Sequence, residues 1–359
     1  MRIDMHCHAL GKGNDITAVD GEVYFNPEDN QHWFTRILYN LLEEDLVRME
    51  ADLNQDQTIS TEEYFSLLYR LLSTSEELDA LVLLALDAVY SARDGRLDER
   101  KTDLWVSNGF LLSVIRDLNE KMKQEGAAKR FFLGASVSPN RRDWAEELEF
   151  VLSQPEAVLV KVIPSVQHIR LMNNRHREFY EMLASARMPL LCHVGPEYSF
   201  PEGIRRKELD DFRYLEKPLE KGVTVIAAHC ATPVFPLIDK NVIGEFYRFM
   251  RKVNTGSEVR LWADTSGLSI ATRLPLIPEI IDTFPPEWLV HGSDFPIPAD
   301  SWPHLPLVTH DVTPEEYLSI CKTGNPFDRD VRIKRAHGFP NSIIENALKV
   351  LRLPDSPDV

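Results

Sequence analysis

Residues 157–164 read AVLVKVIP and residues 222–229 read GVTVIAAH. Such nearly unbroken apolar runs are typical of parallel β-strands buried on both faces, because a half-exposed antiparallel strand alternates apolar and polar residues. The same kind of run predicts six further strands, over Arg2–His8, Ala80–Asp87, Phe131–Ser136, Pro189–His193, Val259–Asp264 and Trp288–His291. Segments with helical periodicity separate most of them. Eight strands alternating with helices predict an α/β protein with the (β/α)8 fold, the TIM barrel.

The length of 359 residues suits one barrel with additions, since such barrels commonly take about 250 residues. We therefore expect a single domain over residues 1–359. A helical insertion at residues 33–75 follows the first strand and is expected to lie over the barrel mouth. A helical C-terminal extension begins near Thr313. An open, doubly wound sheet is the alternative, but no glycine-rich phosphate loop follows the first strand.

The overall charge and composition narrow the choice of partners. The formal net charge is −16, which argues against nucleic acid because phosphate binding needs clustered lysine and arginine. No stretch approaches the ~20 apolar residues of a membrane helix, and the N-terminus lacks the apolar core of a secretory signal. The four cysteines show no framework spacing. We expect a cytoplasmic protein with a small-molecule substrate.

The first predicted strand carries a histidine pair, in the order Asp4-Met5-His6-Cys7-His8. Side chains alternate along a strand, so Asp4, His6 and His8 are expected on one face, and Met5 and Cys7 on the face towards the helices. Two imidazoles at this spacing can converge on one metal ion. On its own the pair is equally compatible with two ordinary polar residues at a strand end.

Three more candidate ligands follow other strands. His193 ends the fifth strand, His229 ends the sixth, and Asp294 comes just after the eighth. Catalytic residues of barrels sit at the C-terminal ends of the strands, so all five side chains should meet at one rim. Imidazole nitrogen and carboxylate oxygen suit a divalent ion such as Zn²⁺ or Mn²⁺, and Zn²⁺ is the first choice.

These motifs resemble the amidohydrolase superfamily. The D-x-H-x-H start, the histidines of strands five and six and the G-S-D-x-P after strand eight are most similar to the amidohydrolase-2 branch, which includes aminocarboxymuconate-semialdehyde decarboxylase. The likeness runs from Ile3 to about Leu353, apart from the insertion. It implies that a single metal is bound by four side chains and that His229 is the catalytic acid or base. The four implied ligands are His6, His8, His193 and Asp294.

Other branches of the superfamily use the same positions differently. There, the aspartate corresponding to Asp294 is the catalytic base, and the histidine corresponding to His229 binds a second metal. Both arrangements stay open on the sequence. Relatives of this kind are often dimers, so the resemblance also implies a homodimer.

The predicted site fits more than one reaction. A metal lowers the pKa of bound water towards ~7, and a nearby histidine can carry the proton. We therefore predict a metal-dependent hydrolase acting on a small amide, ester or lactone. A non-oxidative decarboxylase or hydratase of a small carboxylic acid is the first alternative. A catalytically inactive barrel with a calcium-binding or scaffolding role is the second.

Further residues are candidates for substrate contact or for orienting the ligands. Lys161 lies inside a buried strand, where lysine is uncommon, and could contact substrate, bridge two metals as a carboxylated ligand, or pair with Asp4 or Glu197. Asp4 and Glu197 are themselves candidates for the surroundings of the metal. Weaker candidates are Arg205, Arg206, Asp264, Ser266 and His291.

The insertion contains a stretch that resembles an EF-hand calcium loop, at residues 52–63. Oxygen-bearing side chains occupy the ligand positions, and Ile59 matches the usual apolar eighth position. The departure is Gln57, where the sharp turn favours glycine. Calcium binding is therefore a hypothesis, and an acidic helix–turn–helix is the alternative. The candidate ligands are Asp52, Asn54, Asp56, Thr58 and Glu63.

Overall fold

The protein forms the predicted TIM barrel. The computed structural model describes residues 1–11, 23–25, 33–201, 205–297 and 312–354. Eight strands pair in parallel in the order β1-β3-β5-β6-β7-β8-β9-β10. They are β1 (Ile3–His8), β3 (Ala80–Leu84), β5 (Arg130–Ala135), β6 (Ala157–Val162), β7 (Leu190–Cys192), β8 (Val225–Ala227), β9 (Leu261–Asp264) and β10 (Leu289–Val290). Each lies within or overlaps a predicted run. Two short strands, β2 (Val23–Phe25) and β4 (Leu104–Val106), form an antiparallel pair beside the barrel.

The last strand returns to the first and closes the barrel. The backbone N–H of Met5 donates to the carbonyl of His291 at 3.2 Å. Further along, the N–H of Asp294 donates to the carbonyl of His6 at 2.8 Å, and that of His8 to the carbonyl of Phe295 at 2.8 Å. These bonds fix the segment after β10 against the C-terminal half of β1, where the histidine pair lies.

A β-bulge interrupts β1 and changes which residues face inward. Asp4 pairs with Leu81 and Cys7 with Leu83, with a register shift between them. Cys7, Leu81 and Leu83 pack in the cluster that includes the helices, whereas Met5 belongs to the barrel-interior cluster. The predicted strict alternation is therefore wrong here, because a bulge adds one residue to the pleat. Asp4 lies on the opposite face from His8, and Met5 points inward.

Helices surround the strands and continue past the last one. They are α1 (Trp33–Arg48), α2 (Thr61–Thr74), α3 (Asn108–Gln124), α4 (Trp144–Leu152), α5 (Pro164–Gln167), α6 (Arg177–Ser185), α7 (Glu216–Glu220), α8 (Ile243–Val253), α9 (Ile277–Thr283), α10 (Pro314–Lys322), α11 (Pro326–Ala336), α12 (Ser342–Glu345) and α13 (Ala347–Val350). The insertion at residues 33–75 contains α1 and α2, and the C-terminal extension after Thr313 contains α10 to α13, so both segments are helical as predicted. No helix in the described ranges is both long and apolar enough to cross a bilayer.

Helix α2 has a different position from the one expected for the insertion. It packs against α3 and α11, and it buries a continuous apolar face. Tyr64 on this helix donates from its hydroxyl to the carbonyl of His8 at 2.7 Å. The second half of the insertion is thus one of the outer barrel helices and supports the end of β1. The expectation that all of residues 33–75 lie over the mouth is corrected for α2, because its buried face needs a partner layer.

The end of the chain covers the floor of the barrel. Ala347, Val350 and Leu351 pack with inward-facing strand residues in the interior cluster. The N–H of Arg352 donates to the carbonyl of Val158, near the start of β6, at 3.0 Å. With the N-terminal end covered in this way, the C-terminal ends of the strands form the functional face.

The position of α2 predicts how two leucine substitutions affect stability. Leu68 on α2 is 0% exposed, and Leu53 in the preceding loop is 64% exposed. Leu68→Ala leaves a cavity between α2 and the strands, and should lower the free energy of unfolding by about 2–5 kcal/mol. Leu53→Ala should change it by less than about 0.5 kcal/mol. Urea unfolding of both variants checks this, and equal effects would contradict the packing of α2.

Candidate metal centre

Three predicted ligands converge at the end of β1. His6, His8 and Asp294 each offer a ligand atom, and these atoms all lie within 4.8 Å of one another. Asp294 Oδ1 is 3.1 Å from His8 Nε2 and 3.3 Å from His6 Nε2. The backbone bond from Asp294 to His6 holds the carboxylate in this place.

The other two predicted histidines adjoin this group. The imidazole of His229 lies 5.3 Å from that of His6 and 5.1 Å from that of His193, measured between ring centroids. His229 Nδ1 is 3.8 Å from Asp294 Oδ2. The structure therefore brings together all five side chains that the sequence singled out, from four different barrel positions.

Three of the imidazoles have Nδ1 turned towards an oxygen. His6 Nδ1 lies 2.7 Å from Asp264 Oδ2, and His229 Nδ1 lies 2.8 Å from Ser266 Oγ. His193 Nδ1 faces Glu197 Oε2 at 3.6 Å. An oxygen at Nδ1 fixes the ring and favours the tautomer whose Nε2 lone pair is free for a metal. Asp264 and Ser266, named as weaker candidates, thus orient His6 and His229, and Glu197 lies beside the ring of His193.

The residues present fit a divalent cation. Nε2 of His193 is buried and has no hydrogen-bond partner among the described residues. An unsatisfied buried nitrogen is costly unless a ligand completes it. Together with two further imidazoles and a carboxylate, it gives the nitrogen and oxygen donors that Zn²⁺ accepts.

The buried amine of Lys161 lies among the same atoms. Its Nζ is 2.6 Å from His6 Nε2 and 3.3 Å from His8 Nε2, to which it donates. Burial lowers its pKa to about 8, although Asp294 and Asp264 act in the opposite direction. A positive charge thus stands beside the predicted metal-binding nitrogens, and the predicted inward position of Lys161 agrees with the geometry. Its role as a bridging ligand stays a prediction.

Backbone strain accompanies the site. His229 has φ 57° and Asp294 has φ 71°, both in the left-handed region that non-glycine residues rarely adopt. A Cβ on Gly292 would lie 2.6 Å from His6 Cβ, so only glycine lets the segment before Asp294 approach β1 so closely. Strained residues persist where surrounding contacts hold them, which is common at functional sites.

Sequence reasoning missed one residue of the site, Arg273. It follows β9 and is 4% exposed. Its Nη1 lies 2.7 Å from the position that a Cβ would take on Gly267, and Asp294 Oδ2 lies 2.9 Å from the same point. The only available signal was a single arginine within the apolar stretch SIATRLPLIPEII, residues 269–281.

Some predicted residues lie apart from the metal ligands. Asp4 accepts hydrogen bonds from the N–H groups of His6 at 3.0 Å and Ser293 at 2.9 Å, and so links the two ligand-bearing segments from outside the barrel. His291 lies 3.8 Å from Asp330, on the helix-facing side. Arg205 stacks over the ring of Tyr198 at 5.4 Å. Arg206 is exposed.

A sequence comparison decides the family. The model of the amidohydrolase-2 family, described as amidohydrolase, matches residues 3–334. This protein belongs to the amidohydrolase family. It is thus a metal-dependent enzyme, as the resemblance implied. No protein of curated function matches the chain.

A comparison with solved structures finds similar chains that cover most of this amidohydrolase. One is a TIM-barrel protein from Bordetella bronchiseptica, with 12% identity and a TM-score of 0.49 over 92% of this chain and 99% of that one. Another is 5-carboxyvanillate decarboxylase LigW from Sphingomonas paucimobilis, with 13% identity and 0.49 over 98% and 99%. A third is a probable 2-pyrone-4,6-dicarboxylic acid hydrolase from Acinetobacter baumannii, with 14% identity and 0.47 over 97% and 98%. These identities are too low to transfer a substrate.

The EF-hand-like loop of the amidohydrolase is folded around its own carboxylates. Asp52 accepts from the N–H groups of Asp56 at 3.1 Å and Gln57 at 2.7 Å. Gln57 has φ 65°, so it adopts the left-handed turn expected of glycine. Glu63 accepts from the N–H of Leu53 at 2.8 Å and caps α2 through Ser60. Within the described residues, the three-ligand convergence found at His6 is not repeated in this loop. Calcium binding stays a prediction.

Isothermal titration of calcium into metal-stripped protein tests the loop. If it binds calcium, the wild type should release or absorb heat at millimolar calcium or below, and Glu63→Gln should not, because it removes the charged ligand while keeping the helix cap. The exposed neighbour Glu62→Gln is the control and should bind as the wild type does. Absence of heat from the wild type would exclude the site.

A second prediction concerns Asp264. Asp264→Asn removes the charge that orients His6, so the affinity for Zn²⁺ should fall about 10–100-fold. Competition with a chromophoric chelator measures this affinity. Asp282→Asn, an exposed aspartate on α9, should leave it unchanged. An unaltered affinity in Asp264→Asn would show that the carboxylate does not support the metal site.

Proposed function

We propose that the protein is a hydrolase that cleaves a small amide, ester or lactone with a divalent ion, preferentially Zn²⁺, held by His6, His8, His193 and Asp294. The observation that carries the proposal is the position of Asp294. Its Oδ1 is 3.1 Å from His8 Nε2, and its Oδ2 is 3.8 Å from His229 Nδ1. One carboxylate therefore faces both the predicted ligands and a second basic group.

The bound ion would polarise the substrate carbonyl and acidify a water molecule. Around it, Asp294 and His229 provide two groups able to hold a proton. Burial raises the pKa of Asp294 to about 7, with Lys161 and Arg273 opposing this rise. Asp294 would hold the ion as a charged carboxylate, and its Oδ2 lies on the side of His229.

The imidazole of His229 is suited to accept or relay that proton. Burial and the charge of Arg273 hold its pKa well below the usual range, so the ring is neutral at pH 7. Ser266 fixes its Nδ1 from one side, and the strained backbone at His229 fixes the ring over Asp294. Two basic groups beside the ligands favour hydrolysis, because hydrolysis needs a proton removed from water and another delivered to the leaving group.

Activity and metal content together test these roles. Zinc-loaded protein should hydrolyse members of a panel of small amides, esters and lactones. His229→Ala should keep its metal and lose about 10²–10⁴-fold in kcat, because a proton carrier is removed. His6→Ala should lose the metal. His337→Ala, at the end of α11, is the control and should keep both.

The same assay separates the alternatives. Release of CO₂ from a carboxylic acid, without hydrolysis of any panel member, would replace the proposal by a decarboxylase. Elemental analysis of His229→Ala distinguishes one ion from two, since loss of one of two bound ions would place His229 among the ligands. A small-molecule substrate and a homodimer belong to the same proposal, and light scattering measures the latter.

A further inference from the structure

We infer that Arg273 binds a carboxylate group of the substrate, so that the substrate class is a small carboxylic acid that also carries the bond to be cleaved. This inference rests on the proposed function, since it names the substrate of the same site. It concerns a residue that neither the strand-end motifs nor the family ligands include.

The side chain of Arg273 reaches the site from the segment after β9. Its Nη1 and Asp294 Oδ2 each lie within 3 Å of the point where a Cβ on Gly267 would sit, and His229 Nδ1 lies 3.6 Å from that point. The absence of a side chain on Gly267 thus leaves room for the guanidinium beside the catalytic pair. The charge of Arg273 also lowers the pKa of His193 and of His229, as expected of a guanidinium near both imidazoles.

The guanidinium has few partners of its own. Its one hydrogen bond to the described residues runs from Nε to the carbonyl of Pro233 at 3.3 Å. No carboxylate of the described residues forms an ion pair with it, although Asp294, Glu197 and Asp264 lie near enough to act on its pKa. The residue is nevertheless 4% exposed. A buried charge without a direct partner is costly. A ligand that supplies a negative charge beside Arg273 would therefore gain the full energy of a new ion pair.

The chemistry of the site favours a carboxylate over other anions. A planar guanidinium donates two parallel N–H bonds, which match the two oxygens of a carboxylate. Among the described residues Arg273 is the one arginine found beside Asp294, and neighbouring carboxylates at Glu197 and Asp264 would repel a more highly charged group. A monoanion therefore fits better than a phosphate dianion. Bound at Arg273, it would hold the rest of the small molecule against Asp294 and His229.

Binding of matched charged and neutral probes tests the inference without requiring turnover. We would measure the affinities of acetate, benzoate and monomethyl malonate, each beside the corresponding amide, for the zinc-loaded and the metal-stripped full-length protein by ligand-observed NMR. At least one carboxylate should bind the wild type about 10-fold more tightly than its amide in both forms. If the preference for the carboxylate persists in the metal-stripped form, it does not come from direct binding of the carboxylate to the ion.

Variants assign the preference to the residue. Arg273→Met should abolish the preference for the carboxylate and leave amide binding unchanged. Arg273→Lys should keep part of the preference, because the ammonium group retains the charge but lacks the two parallel N–H donors of the guanidinium. Arg248→Met, outside the site on α8, is the control. Loss of carboxylate and amide binding together in Arg273→Met, with no recovery in Arg273→Lys, would show a structural role and overturn the inference.

The remaining outcomes are also decisive. Failure of every carboxylate to bind the wild type better than its amide would overturn the inference even if the enzyme proves to be a hydrolase. Conversely, a preference that depends on Arg273 in a protein that hydrolyses no panel member would refute the proposed reaction and leave the carboxylate site standing.

Discussion

The carboxylate of Asp264 is completely buried, and three segments of the barrel depend on it. It lies 2.7 Å from Nδ1 of His6 and accepts from the backbone N–H groups of His229 at 2.8 Å and Ser266 at 3.0 Å. A buried carboxylate must be compensated by donors, and here every donor belongs to the site or its support. Because β1, β8 and β9 end at the same carboxylate, the relative positions of His6 and His229 are set before any ligand arrives.

This arrangement explains why the backbone tolerates strain on both sides of it. Residues 229–231 and Asp294 all have positive φ, which costs free energy at each non-glycine residue. The bonds to Asp264 and the closure of the barrel at His6 hold these conformations. The strained backbone turns the side chains of His229 and Asp294 towards one another, so the rigidity of the barrel sets the distance between them.

Sequence alone predicted much of this structure, for physical reasons that differ between its parts. Apolar runs reveal buried parallel strands because both faces of such strands are covered, and strand ends locate His193, His229 and Asp294 because parallel strands share one C-terminal rim. The bulge in β1 could not be read in the same way, because strict alternation is the default for a strand and the extra residue depends on the partner strand. Asp4 was therefore assigned to the wrong face.

The other features could not be predicted because they depend on residues that are distant in sequence and meet only in the folded chain. Arg273 follows β9 by nine residues and has no motif around it, so only the fold shows that it reaches Asp294. Helix α2 was read as part of a cap because it lies in a long connection, yet its apolar face packs into the outer layer. Glu197 and Asp264 could be named as candidates, but their pairing with particular imidazoles needed coordinates.

The covered floor of the barrel has a consequence for synthesis of the chain on the ribosome. Ala347, Val350 and Leu351 complete the interior cluster, and they are translated after all eight strands. Until they emerge, the apolar residues at the N-terminal ends of the strands lack their cover. The interior of the barrel can therefore be closed only after these three residues have been synthesised, however early the strands themselves emerge.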